Sequence, residues 1–175
     1  DRFEDRMRRE FDFAKTPQEK LLKVQGLLDE LNRGERSGEE AAVDEALLVH
    51  LGNGAAKVAV SVLGDNPGLA LAGLALHAEI AARGAPVATP NPRAARQVLE
   101  RIGDPGLLCQ ELPESLLMRV LQYLREAMPE SWGAVWAAVL MRTGRRLCDA
   151  ITRALLDNGQ HEVLAVSLNQ AMEKP

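Results

Sequence analysis

Signals that begin and end short helices recur along this chain, and they constrain its fold more than any other feature. Thr16-Pro17-Gln18-Glu19 has the pattern of a capping box with proline in the first helical position, and Ser37-Gly38-Glu39-Glu40 repeats that pattern without the proline. Glycine follows most of the apolar segments, where a left-handed residue ends a helix. No segment of the sequence alternates apolar and polar residues between hairpin turns, so we predict an all-α fold without a sheet.

Apolar residues at helical spacing place the individual helices. In the first half of the chain the predicted helices are 1–13, 17–34, a third helix that ends at Gly52-Asn53-Gly54, 55–63 and 69–83. In the second half they are 92–102, 113–128, 131–142, 145–157 and 160–173. The helix at 69–83 is apolar on nearly every face, which predicts that it is the buried centre of the fold. It is too short to span a bilayer, so we expect no membrane partner.

Short helices joined by tight turns resemble the HEAT-like branch of the helical-repeat superfamily. The resemblance implies about nine short antiparallel helices that stack as an irregular α-solenoid. The alternative is a closed multi-helix bundle, because a central helix that is apolar on all sides fits that architecture equally well.

Three prolines, Pro86, Pro90 and Pro92, mark a connector at 85–92, because each restricts the residue before it to extended backbone. We therefore predict an acidic N-terminal helical sub-bundle at 1–84 and a second sub-bundle at 93–175, within one continuous domain. The chain begins at Asp1 without methionine and ends at Pro175 after a helical pattern, so we expect it to be part of a larger protein.

The charge and the cysteines narrow the class of partner and the compartment. The formal net charge is −4, with the acidic excess in the first 84 residues and a slight arginine excess over 85–155. A net acidic molecule has no overall attraction for nucleic acid, which disfavours nucleic acid as a partner. Cys109 and Cys148 form neither a disulfide framework nor a metal-ligand pattern, so we expect a reducing, cytoplasmic compartment.

The sequence contains no recognisable catalytic constellation. Its three histidines, His50, His77 and His161, lie on different predicted helices, and none has a second histidine or cysteine one helical step away. We therefore predict no metal and no cofactor, and we interpret His50 and His77 as core histidines bonded to backbone groups. A nucleophile elbow, a phosphate loop and a dinucleotide fingerprint are also missing from the sequence, so we assign no catalytic residue.

The segment from Leu51 to Ala59 resembles the hairpin of helix-hairpin-helix DNA-binding modules, in which a Gly-x-Gly turn leads into a helix. The resemblance implies that Gly52, Gly54 and Lys57 hold a DNA phosphate through backbone N–H groups. It departs from the family at Asn53, where an apolar residue is usual. A simple turn between two helices is the alternative interpretation.

A group of arginines straddles Gly144 at a predicted corner between two helices. Guanidinium groups this close together bind phosphate or carboxylate groups, which makes the corner a candidate site for a partner or an anion. The alternative is a solvated corner with internal ion pairs and with the tryptophans in the core. The residues of this candidate site are Arg142, Arg145, Arg146, Arg153, Trp132 and Trp136.

These observations favour a non-enzymatic helical scaffold that binds another protein. The first alternative is a nucleic-acid-binding module that resembles the helical-repeat DNA glycosylases, although those proteins are strongly basic and this chain is acidic. The second is a small-ligand pocket or an enzymatic bundle around His77 and the arginines.

Overall fold

A computed structural model of the chain describes residues 3–36, 43–142 and 153. These residues form eight α-helices and one short 3-10 helix, with no strand among them, which confirms the predicted all-α fold. They belong to two compact units that divide between Asn91 and Pro92. Unit 1 contains α1 (Phe3–Asp12), α2 (Pro17–Arg36), α3 (Glu45–Val62) and α4 (Pro67–Ala82). Unit 2 contains α5 (Pro92–Ile102), a 3-10 helix (Pro105–Leu107), α6 (Leu108–Glu111), α7 (Glu114–Ala127) and α8 (Trp132–Arg142).

The capping box predicted at Thr16 is present at the start of α2. The backbone N–H of Glu19 donates to Thr16 Oγ1 at 3.1 Å, and the Glu19 carboxylate accepts from the backbone N–H of Lys15 at 3.0 Å. The second predicted box, at Ser37, lies outside the described residues. Instead α3 begins after Asp44, whose carboxylate accepts from the backbone N–H of Ala46 at 3.0 Å.

Helix α4 is the buried centre of unit 1, as the sequence predicts. Ten of its 16 residues are buried, and they lie on every side of the helix. Its N-terminus is capped by Asn66, whose side-chain oxygen accepts from the backbone N–H of Leu69 at 3.0 Å. It ends before Gly84, whose φ of +89° is the left-handed conformation that glycine adopts most readily.

The predicted helix end at Gly52-Asn53-Gly54 is wrong, since α3 continues through these residues to Val62. The two glycines serve close packing rather than a turn. A Cβ at Gly52 would lie 2.9 Å from Val87 and 3.0 Å from Ile80, and a Cβ at Gly54 would lie 2.4 Å from the Phe11 ring. Other parts of unit 1 therefore occupy the space that side chains would take.

In unit 2, α5, α7 and α8 lie where the sequence predicts them, within one or two residues. The segment predicted as a plain connection after Gly103 forms the 3-10 helix and α6 instead. The Asp104 carboxylate starts this segment by accepting from the backbone N–H of Gly106 at 2.9 Å. The helix predicted at 160–173, and all of the helix predicted at 145–157 except Arg153, lie outside the described residues. Within the described ranges, no helix combines the length and apolarity needed to cross a membrane.

Candidate partner-binding groove

The described residues include only Arg142 and Arg153 of the predicted arginine corner, so the corner stays a prediction. Arg142 pairs with Asp104 at 2.5 Å, and its side chain lies so close to Gly106 that a Cβ there would be 2.7 Å from Arg142 Cγ. Arg153 is exposed, whereas Arg145 and Arg146 lie outside the described residues. Arg142 is thus engaged inside unit 2 rather than presented to a ligand.

Trp132 and Trp136 belong to the core of unit 2, which agrees with the alternative interpretation of these two residues. Their relative exposures are 5% and 0%. The two rings stack with their centroids 5.9 Å apart and their planes at 19°, because residues four apart lie on one face of α8. That face packs into the unit with Val139, which is also buried.

The proposed phosphate-binding hairpin is also absent from the described structure. Gly52, Gly54 and Lys57 all lie inside α3. In the interior of a helix the backbone N–H groups donate to carbonyls of the preceding turn, so they are not free to hold a phosphate. Lys57 is exposed on the surface of the helix.

The two described histidines differ from each other. His77 is buried, and both its ring nitrogens lie within 3.0 Å of backbone carbonyl oxygens, which confirms it as a core histidine bonded to backbone groups. The same prediction is wrong for His50, which is partly exposed and lies 2.6 Å from Asp12 Oδ1. His161 lies outside the described residues. In the described part of the chain, no three His, Cys, Asp or Glu side chains are grouped so that they would hold a metal ion.

An open groove of about 500 Å³ runs between α1 and α2. Its α2 side extends from Leu22 to Arg33, which corresponds to about 17 Å of helix. The apolar residues Met7 and Leu27 are buried within it, and Gly26 is exposed beside them. The complete lining is Phe3, Arg6, Met7, Glu10, Leu22, Lys23, Gly26, Leu27, Asp29, Glu30 and Arg33.

The first turn of α2 and the end of α1 fix the two walls of this groove. Lys20 donates from Nζ to the carbonyl oxygens of Phe11 at 2.9 Å and of Asp12 at 3.1 Å, which satisfies the free carbonyls at the end of α1. The same ammonium group lies 4.9 Å from the centre of the Phe11 ring. Phe11 in turn fills the space beside Gly54 of α3, so α1 is anchored to both neighbouring helices.

Gly26 is the residue that distinguishes this groove. A Cβ built at Gly26 would meet no other atom within 4 Å. In contrast, Cβ atoms at Gly52 and Gly54 of α3 and at Gly73 of α4 would come within 3.0 Å of a neighbour. Glycine in a helix interior costs roughly 1 kcal/mol relative to alanine. At Gly26 no internal packing accounts for that cost.

The charges around the groove are balanced and weakly held. Lys23 lies 3.7 Å from Glu10 across the groove, and Arg33 lies 3.9 Å from Glu30 along α2. Both pairs are exposed, so each contributes little to stability and exchanges readily for another partner. Arg6 lies over the Phe3 ring at 5.5 Å and forms no ion pair with a described residue. A partner segment that enters the groove can therefore form new ion pairs with these charged groups.

The sequence does not predict this groove, because the helical patterns at 1–13 and 17–34 do not show how the two helices lie side by side. The available signal was Gly26 itself, an isolated glycine between Gln25 and Leu27 inside a clear helical pattern. Sequence alone does not separate such a glycine from one that packs internally. Only the surrounding atoms make that distinction.

The fold and the groove define an all-α protein with two helical units and an exposed channel between two antiparallel helices. No family model, curated protein sequence or solved structure matches the chain.

Proposed function

We propose that this protein is a non-enzymatic helical scaffold whose α1–α2 groove binds a helix of a partner protein. The observation that carries the proposal is the open space at Gly26, in the middle of the exposed face of α2. This glycine lowers the stability of the helix, and no neighbouring residue packs into the space beside it. That space is open to an atom from another molecule. Such a residue is expected at a surface where another backbone approaches closely.

A helix is the occupant that this space fits best, and unit 1 itself provides the comparison. At Gly73, the missing side chain allows α3 to approach α4 so closely that a Cβ would lie 2.7 Å from the Ala55 carbonyl oxygen and 2.9 Å from Ala59 Cβ. Gly26 offers the same access on the outside of α2. The groove follows about three turns of α2, a length typical of helix-in-groove recognition.

The flanking charges give the partner helix a defined character. Its central residue over Gly26 should be small, so that the two backbones approach each other. A carboxylate near the N-terminal end of α1 would pair with Arg6, and apolar side chains would cover Phe3 and Leu22, which are half-buried. The expected partner segment is therefore an amphipathic helix with a small residue at its centre and an acidic residue toward one end.

A displayed library of helical peptides tests this proposal. Peptides are selected on the wild-type protein, and their affinities are then measured for Gly26→Leu and Gly64→Leu. Gly64 is the matched control, because it is also exposed, has no atom within 4 Å of a built Cβ and lies outside the groove. We expect Gly26→Leu to weaken binding by about tenfold or more, which corresponds to a clash of about 1.4 kcal/mol or more, and Gly64→Leu to leave it unchanged.

Circular dichroism and thermal unfolding of both variants separate a blocked groove from a damaged fold. Leucine is a good helix former, so Gly26→Leu should keep its helix content and unfold at a temperature no lower than the wild type. If the selected peptides bound Gly26→Leu as tightly as the wild type, the groove would not be the docking surface.

A further inference from the structure

His77 stands between two backbone carbonyls in the interior of unit 1. Its Nδ1 lies 3.0 Å from the carbonyl oxygen of Gly52 on α3, and its Nε2 lies 2.8 Å from the carbonyl oxygen of Ala88. Ala88 belongs to the segment 85–91, which follows α4. The ring thereby connects α4, α3 and this segment at one point.

The two contacts require two protons on the ring. A neutral imidazole carries one N–H and one lone pair, whereas an imidazolium carries two N–H groups. Only the imidazolium donates to both carbonyl oxygens. In the neutral form, one carbonyl oxygen faces a nitrogen lone pair at hydrogen-bond distance, which is repulsive and leaves that contact unmade.

The packing decides which contact the neutral form keeps. Helices α3 and α4 are held close together at Gly73, where the Ala55 backbone leaves no room even for a methyl group. We therefore expect the Gly52 oxygen to stay in place and the neutral ring to keep its proton on Nδ1. The Ala88 carbonyl is on an exposed residue of an irregular segment, so it is the group that moves.

The charged side chains on the helices around His77 are engaged with other residues or exposed to solvent. On α4, Glu79 lies 3.4 Å from Asn32 of α2, and Arg83 donates to the same Asn32 side chain at 2.6 Å. On α3, His50 faces Asp12 of α1 and Lys57 is exposed. The segment 85–91 contains no ionisable side chain. Among the described residues, no carboxylate forms an ion pair with His77.

We infer that His77 is a proton-operated clamp, which in its imidazolium form holds the segment 85–91 against α3 and in its neutral form releases Ala88. Val87 supports the closed position, because its Cγ1 fills the space that a Cβ at Gly52 would occupy. Ala85 is buried at the start of the segment, so release should be confined to the residues after it. The inference does not depend on the proposed function of the groove.

Nuclear magnetic resonance of the intact chain across roughly pH 5 to 8, the range in which histidines commonly titrate, tests the clamp. The ring nitrogens of His77 report its protons, and the amide nitrogen of Thr89 reports the carbonyl of Ala88, to which it is bonded. We expect the Thr89 signal to change with the same midpoint as the His77 ring. We also expect Nε2, and not Nδ1, to lose its proton, while the amide of Asn53 next to Gly52 changes little.

Two variants assign the effect to this ring. His77→Gln should abolish the pH response of Thr89, and His50→Gln should leave it intact. If Thr89 stayed constant while the His77 ring titrated, or if the neutral ring kept its proton on Nε2, the clamp would be overturned. An absence of any His77 titration in the folded protein over that range would overturn it as well. The wild-type measurement alone decides the question if His77→Gln does not fold.

Discussion

At the scale of single residues, the glycines of unit 1 show how the same residue type serves opposite purposes. Gly73 is surrounded, and its missing side chain brings two helices together. At Gly26, in contrast, a Cβ would point into open space. The sequence shows a glycine within a helical pattern in both cases, so it predicts neither role. The difference comes from atoms that are distant in the chain.

Alanine substitutions at these two glycines should therefore change stability in opposite directions. Gly73→Ala forces a methyl group against the Ala55 carbonyl, which is backbone and cannot turn aside, and should destabilise the fold by about 1–3 kcal/mol. Gly26→Ala improves helix propensity without a clash and should stabilise it by about 0.5–1 kcal/mol. Urea unfolding of both variants measures the difference, and a loss of stability in Gly26→Ala would contradict the open geometry.

Tyr123 offers a second test at this scale, because it is the single tyrosine of the chain. Burial raises the pKa of its phenol above the ordinary value of 10.0. Because the pKa of the phenol is raised in the folded protein, the buried neutral phenol contributes its full share of stability below pH 10. That contribution is lost as the pH rises through the folded pKa. Ultraviolet titration should give a midpoint above 10.0 in the folded protein and one near 10.0 in urea. Equal midpoints would show that the phenol is not buried.

At the scale of helices, the sequence predicts the start of α2 correctly, whereas it predicts a break inside α3 where the helix is continuous. The cap at Thr16 is a local arrangement of four residues, so its sequence pattern is sufficient to identify it. The interruption predicted at Gly52-Asn53-Gly54 depends instead on whether other elements fill the space beside the glycines. Phe11 and Val87 do fill it, and they lie on elements far away in the sequence. Local patterns carry no information about that packing.

Asn53 tests the continuity of α3. It is exposed in the middle of an 18-residue helix, where alanine is preferred over asparagine. Asn53→Ala should therefore stabilise the protein by about 0.5 kcal/mol in thermal or urea unfolding. A turn at this position would favour asparagine, so a clear loss of stability in Asn53→Ala would argue for the hairpin.

At the scale of the whole molecule, composition and helix signals were enough to predict an all-α fold and the burial of α4, which lies at the centre of unit 1. An apolar helix without a polar face has no other stable environment in water, which is why this inference succeeded. The HEAT-like arrangement and the cytoplasmic location stay predictions. The groove escaped prediction because it depends on how two helices sit side by side.

The core of unit 1 leads to a prediction about its independence. Leu21, Leu28, Leu51, Leu71 and Leu76 are all fully buried within it. A fragment of residues 1–91 should therefore be helical by circular dichroism and should unfold in one cooperative transition. A gradual loss of signal without a transition would mean that unit 1 needs the remainder of the chain.

We propose that the space beside Gly26 receives a partner helix. The most direct measurement is quantitative affinity capture from cells that make the protein, with wild type, Gly26→Ala, Gly26→Leu and Gly64→Leu as four parallel baits. We expect a protein that is retained by wild type and by Gly64→Leu, reduced with Gly26→Ala and lost with Gly26→Leu. Cross-linking to Lys23 should show that a helix of this protein contacts the groove directly. A set of captured proteins that is the same for all four baits would contradict this proposal.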